Sequence, residues 1–191
     1  MSACATDVWS VALDEPFEAL LSAEEQDRAA RFRFERDRVR WSHAHSALRA
    51  ILSRYVKASP LELAFEIGAH GKPSIPGVDR RVEFNLSHAG GWATIAVSAC
   101  APVGVDIEAV RENVDMAKLL ERIGETALTG SREALFRVWT RREARTKAVG
   151  GPLMEVPLGD LRVVDLAAPA GFVAALAMVG RDPEIRYRRL E

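Results

Sequence analysis

Asp106 and Glu108 stand two positions apart in "GVDIE", residues 104–108. On a strand that spacing puts both carboxylates on one face, while Val105 and Ile107 turn to the other and into a core. Adjacent carboxylates repel unless solvent screens them or a cation sits between them. The pair is therefore either a solvated edge or part of a cation site. Further along, "WTRREARTKAVGG" (139–151) places Trp139, Glu143 and Lys147 at i, i+4 and i+8, on one face of a helix. Alone, this is a surface Glu–Lys pair with a tryptophan anchor. Combined, Asp106, Glu108 and Glu143 offer three hard oxygen ligands, with the Lys147 charge one turn away. Such a set suits Mg²⁺ or Mn²⁺ rather than zinc. Mg²⁺ keeps positions open for phosphate oxygens, and a nearby lysine balances a polyanion.

A third group lies in "FNLSHAGGWATIAV" (84–97), where an alternating strand pattern breaks into Ser-His-Ala-Gly-Gly and then resumes. The pattern predicts a hairpin whose five-residue loop offers Ser87 and His88 to something outside the sheet. A Ser-His-Asp hydrolase is disfavoured, because Ser87 lacks a G-x-S-x-G elbow. His88 is then either a satisfied loop histidine or a phosphate contact. The second reading fits Lys72 of "GKP" and the arginines of "RAARFRFERDRVR" (28–40), an amphipathic stretch in which six arginines face only Glu35 and Asp37.

The elements that must position these groups are legible in outline. "VWSVAL" (8–13) reads as a strand. Ser22 followed by Glu25 is a capping box that opens a helix. A second helix follows Asp37, with Trp41, Ala44, Leu48, Ile51 and Tyr55 at helical spacing, and Ser59-Pro60 ends it. "ELAFEIG" (62–68) alternates as a strand, "HGKPSIPG" is a loop, and the hairpin and "VGVDIEAV" (103–110) come next. A helix is expected near 114–123 and a longer one over 131–149, stopped by Gly150-Gly151-Pro152. Three strands follow, in "MEVPLGDLRVVDL", "GFVAALAMV" and "EIRYRRL". The order suggests an α/β (α+β) protein of two similar units, meeting between residues 99 and 104.

Bulk properties narrow the function classes. The chain has 191 residues, 48% of them hydrophobic, which is enough for an ordinary core. A formal net charge of −1 argues against a nucleic-acid binder. Cys4 and Cys100, the two cysteines, make no disulfide framework or metal set and are expected to be free thiols in a reducing cytoplasm. The N-terminus lacks a basic region followed by an apolar run, so no secretory signal is expected. "GFVAALAMV" is too short for a membrane helix. A soluble cytoplasmic protein is expected.

Taken in order and spacing, "GKP", "FNLSHAGGW", "GVDIE" and "WTRREARTKAVGG" resemble the Sfp-like 4'-phosphopantetheinyl transferases, over roughly residues 28–151. The chain departs from that family's pattern at Arg142, where a lysine usually precedes the glutamate, and in a short segment between "GVDIE" and Trp139. The resemblance implies a pseudo-two-fold duplicated fold, each half a helix packed on a small, mostly antiparallel sheet, here residues 1–101 and 102–191. It implies an active site in the cleft between the halves, where the phosphopantetheine arm of coenzyme A passes to a serine of an acyl or peptidyl carrier protein and 3',5'-ADP is released. Carried over, Asp106, Glu108 and Glu143 would hold Mg²⁺, Lys147 would stabilise developing charge, and Glu143 or a metal-bound water would take the serine proton. Lys72, Ser87 and His88 would contact coenzyme A phosphates, with Arg40, and less directly Arg28, at the 3'-phosphate. The loop at 87–91 would be a phosphate-binding loop, and such proteins usually work as monomers. A restriction-type nuclease fits worse, because its last acidic residue and lysine lie two apart on a strand. A non-catalytic relative that binds coenzyme A or a carrier protein is the other reading.

Overall fold

The computed structural model describes residues 4–68, 70–78, 81–125, 130–151, 160–180 and 182–190. Strand β1 (Cys4–Ala12) leads into helices α1 (Ala23–Ala30) and α2 (Glu35–Val56). A short 3₁₀ turn (Pro60–Glu62) and the two-residue strands β2 (Glu66–Ile67) and β3 (Pro73–Ser74) come before the hairpin of β4 (Glu83–Ala89) and β5 (Trp92–Ser98). Then follow β6 (Val103–Ala109), α3 (Met116–Arg122), α4 (Arg132–Val149), β7 (Leu161–Leu166), β8 (Phe172–Val179) and β9 (Pro183–Arg189).

Local chemistry sets the helix ends. Ser22 and Glu25 close the expected capping box at the start of α1. Ser131 caps α4 by accepting from the Ala134 amide, and Gly150, at φ 66°, ends it in a left-handed turn. Helix α2 begins two residues before Asp37, and its buried face carries Trp41, Ala44, Leu48 and Ile51, as the spacing requires.

The main sheets run β4-β5-β1-β9 and β6-β8-β7. Each contains a strand, a long helix and then a hairpin in the same order, and the lone strand pairs antiparallel with the second hairpin strand. β9 departs from that scheme: it returns to the first sheet and runs parallel to β1, Cys4 opposite Pro183. Trp9, Val11 and Leu13 pack under α2 with Phe84 and Ile95, whereas Val8 and Ala96 face the second sheet and meet Val103, Val105 and Ile107. Helix α4 covers the far face of that second sheet through Ala144 and Ala148. The layers are therefore helix, sheet, sheet, helix.

Three expectations need correction. "ELAFEIG" does not form a strand along its length: Pro60 opens a 3₁₀ turn there, and only Glu66 and Ile67 pair. The hairpin loop is not five residues long. Ser87, His88 and Ala89 remain in β4 opposite Thr94, Ala93 and Trp92, and the turn is Gly90-Gly91 alone. Cys100 is not a free thiol but is disulfide-bonded. The expected strand start at Met154–Gly159 lies outside the described residues.

Candidate active site

Strand alternation makes β6 two-sided. Val105 and Ile107 enter the inter-sheet core, so Gly104, Asp106 and Glu108 face α4. Gly104 is where the helix lands. A β-carbon there would lie 2.2 Å from both the Ala144 carbonyl oxygen and the Ala148 amide nitrogen. The glycine makes room for α4, and this contact brings Lys147 over Asp106.

The resulting cluster is tight. Lys147 Nζ donates to Asp106 Oδ1 at 2.6 Å and to Ser87 Oγ at 3.0 Å, and Ser87 Oγ donates to Asp106 Oδ1 at 2.9 Å. Ser87 arrives from β4, whose edge runs beside β6. The seam between the two sheets is closed by side chains: Asn85 Oδ1 accepts from the Val105 amide at 3.0 Å, and Ser87 Oγ from the Ile107 amide at 3.4 Å. Asp106 is 4% exposed, and its Oδ2 is buried with no hydrogen-bond partner among the described residues.

Glu108 and Glu143 are electrostatic neighbours of Asp106. Burial raises the pKa of all three carboxyls above the ordinary range, and the charge of Asp106 pushes both glutamates further up. Lys147 opposes the rise in each, joined at Glu108 by Arg111 and Trp139 and at Glu143 by Arg142. The three carboxylates are thus brought together electrostatically. Among the described residues, however, no group of three acidic, histidine or cysteine side chains is closed enough to grip a metal ion. Arg142, in the position that departs from the family pattern, reaches Glu125 at 3.1 Å.

Beside this cluster opens a cleft of about 800 Å³. Its walls come from α1, α2 and the β2–β3 hairpin on one side, and from Thr146, Lys147 and Gly150-Gly151 on the other. His88 points into it. Neighbouring residues of a strand face opposite ways, so Ser87 serves the carboxylate cluster and His88 the cleft. Burial, and then the nearby His45 and Lys147, hold the His88 pKa below the usual histidine value. Arg28 lines the same cleft, with its guanidinium 5.3 Å from the Trp41 ring centre. His45 stacks on Trp41 at 3.9 Å and faces Glu25. The spacing already marked Trp41 as a buried position. His45, one helical turn on, carried the missing signal, since it shares that face.

Two of the expected phosphate contacts, Arg40 and Lys72, are engaged by groups of the protein itself. Arg40 does not line the cleft. Its Nε and Nη2 grip both oxygens of Asp14 at 2.6 and 2.7 Å. That ion pair also accounts for the glycine turn, since a β-carbon on Gly91 would lie 2.4 Å from Asp14 Oδ2. Gly90, at φ 53°, supplies the left-handed conformation and packs on Phe172. The turn therefore seats a carboxylate and an aromatic ring. Lys72 does line the cleft, but its Nζ donates to the backbone carbonyls of Ala148 at 2.7 Å and Val103 at 3.2 Å.

The N-terminal domain of the 4'-phosphopantetheinyl transferases matches residues 8–100. The 4'-phosphopantetheinyl transferase HetI of Nostoc sp. is 34% identical over 162 residues, covering 75% of this chain and 68% of HetI. The chain belongs to the 4'-phosphopantetheinyl transferase family. A provisionally named transferase of Synechocystis sp., slr0495, is 31% identical over 75% of this chain and 64% of its own length. The 4'-phosphopantetheinyl transferase AcpT of Escherichia coli K12 is 32% identical over 62% of each chain. This chain thus spans about two thirds of the length of these relatives. No helix among the described residues is long and apolar enough to cross a membrane.

Proposed function

We propose that this protein transfers the 4'-phosphopantetheine arm of coenzyme A to a serine hydroxyl of an acyl or peptidyl carrier protein. The observation that carries the reading is the Lys147–Asp106–Ser87 contact beside a cation-rimmed cleft, in a chain of this family. Residues 1–101 and 102–191 are the two halves, and their repeated order of strand, long helix and hairpin supports the division. Both halves line the cleft, so one chain suffices and the protein acts as a monomer.

The nucleotide end of coenzyme A suits the cleft, where Arg28, His45 and His88 offer charge and hydrogen bonds to phosphate. Asp106, Glu108 and Glu143 fit Mg²⁺. Their oxygens are hard donors, Asp106 Oδ2 is buried and unpartnered among the described residues, and their mutual repulsion is what a divalent cation relieves. When bound, the ion supplies Lewis-acid polarisation and neutralises pyrophosphate charge. Lys147 adds a positive charge at the transferred phosphoryl group. Glu143, whose proton affinity is raised by burial and by Asp106, accepts the serine proton. The serine oxygen forms its bond to the β-phosphorus as the bond to the nucleotide breaks, and 3',5'-ADP leaves with that electron pair.

The test is intact-mass spectrometry of an apo carrier protein after incubation with this protein, coenzyme A and Mg²⁺. One phosphopantetheine is gained, and the gain is lost when the carrier serine is replaced by alanine or Mg²⁺ is chelated. No gain across fatty-acid, polyketide and peptide carriers would overturn the reading.

A further inference from the structure

Lys72 belongs to a loop of the first half, yet both hydrogen bonds that its side chain makes among the described residues go to the second. Its Nζ is shared between the carbonyl of Ala148, in the last turn of α4, and that of Val103, the first residue of β6. Its stem lies against Gly150, where an added β-carbon would meet Lys72 Cβ and Cδ at 3.5 Å. The ammonium therefore sits at the negative end of the α4 dipole and satisfies a carbonyl that the helix leaves open. Ala148 follows Lys147 directly, and Val103 precedes Gly104, on which the helix rests. One cation thus ties the three backbone segments whose relative position sets the distance from Lys147 to Asp106.

We propose that Lys72 is a positioning residue, which locks the C-terminal turn of α4 onto β6 and so fixes the Lys147–Asp106–Ser87 contact. It is not a phosphate ligand of the cleft it lines. Burial holds its pKa below the ordinary lysine value, as expected for a cation bonded to carbonyls rather than bathed in solvent. The proposal rests on the transfer reading for its kinetic consequence, but its structural consequence stands apart from it.

The experiment compares Lys72→Met, which keeps the stem and removes the donors, with Lys72→Arg, which keeps a charged donor. Hydrogen exchange is read first, without substrate. In Lys72→Met the amides of Gly150 and Gly151, which cap α4 by donating to Thr146, exchange at least about 5-fold faster, while β8 is unchanged. In Lys72→Arg these amides stay closer to wild type. Unaltered exchange at the α4 cap in Lys72→Met overturns the proposal, whatever the outcome for transfer. With an apo carrier protein, Lys72→Met lowers kcat by about 10–100-fold, with the KM and calorimetric affinity for coenzyme A within about 3-fold of wild type. Lys72→Arg recovers part of the kcat loss. A large rise in KM with kcat unchanged would make Lys72 a phosphate ligand and overturn the proposal. If Lys72→Met does not fold, Lys72→Arg alone decides: retention of both kcat and the exchange pattern supports the lock, and a selective loss of coenzyme A affinity overturns it. Absence of transfer by the wild type would overturn the proposed function and leave the exchange result to decide the lock.

Discussion

A β-carbon on Gly104 would stand 2.2 Å from the carbonyl oxygen of Ala144. Strand and helix meet there in backbone contact, so any side chain has to push α4 away from β6. Gly104→Ala is therefore expected to cost about 1–3 kcal/mol by overpacking. The melting temperature falls by roughly 2–4 °C for each kcal/mol in a chain of this size. Because the same displacement carries Lys147 away from Asp106, transfer falls on the order of 10–100-fold even in molecules that remain folded. Thermal melts and single-turnover transfer check the two effects separately. A variant that melts and transfers like wild type would show that α4 has room to move.

Asn85 tests the seam between the sheets. Its Oδ1 takes the Val105 amide, at the edge of β6 that faces β4 but, among the described residues, has no hydrogen-bonded strand partner. Asn85→Ala leaves that buried amide without an acceptor, at a cost of about 1–3 kcal/mol. Asn85→Leu, which fills the volume but offers no acceptor, should recover little of the loss. Urea unfolding of both variants measures it, and a leucine variant as stable as wild type would mean that packing, not the hydrogen bond, closes the seam.

The contrast between these two positions shows how far the sequence could be read. Parity along β6 already assigns Asp106 and Glu108 to one face and Val105 and Ile107 to the other, because a strand allows nothing else. The caps at Ser22 and Gly150 likewise act within a few residues and are visible in them. What covers the acidic face is not local, so Gly104 reads equally well as a seat for ligand or for helix. The same holds for Asn85 and Lys72, whose partners lie 20 and 76 residues away, and for Arg40, whose amphipathic setting does not reveal Asp14. β9 pairs with a strand at the opposite end of the chain, which no local pattern encodes.

Glu25 gives a pH dependence with a definite sign. It accepts from the Ser22 amide and from Arg49 Nε at 2.6 Å, and it faces His45. Burial alone would raise its pKa, but the neighbouring His45 and the bonds from Arg49 and the Ser22 amide outweigh it and lower the pKa to about 2. A carboxylate whose folded pKa is depressed stabilises the fold above its unfolded pKa, and that contribution disappears as pH falls through the folded value. Stability should therefore decline between about pH 4.5 and pH 2. Solvent screening limits the Glu25 share to about 1–2 kcal/mol. Glu25→Gln is less stable at neutral pH and shows a shallower acid limb. Denaturant midpoints across that range decide it, and equal limbs would assign the acid loss to other groups.

Glu143 predicts the reverse pairing of stability with activity. Burial and the charge of Asp106 both disfavour its ionised form. Glu143→Gln should therefore raise the melting temperature in chelator by roughly 2–4 °C, the shift that about 1 kcal/mol produces, while abolishing transfer. Added Mg²⁺ should stabilise the wild type and have little effect on the variant, because binding to the folded state alone raises stability by mass action. Equal Mg²⁺ stabilisation of both proteins would remove Glu143 from the ion's ligands.

His88 links the cleft to its ligand through a proton. In the free protein, burial and the neighbouring His45 and Lys147 favour the neutral ring. A polyanion entering the cleft reverses the local field and favours the charged ring, so binding takes up a proton. Coenzyme A affinity should then rise as pH falls through the histidine range, levelling off once His88 is charged in the free protein as well. Calorimetric titrations in buffers of different ionisation enthalpy measure the uptake directly, and His88→Gln should remove most of it while weakening binding. Heats that do not depend on the buffer in the wild type would mean that His88 keeps one protonation state throughout, and that the cleft meets its anion with the fixed charges of Arg28 and Lys147.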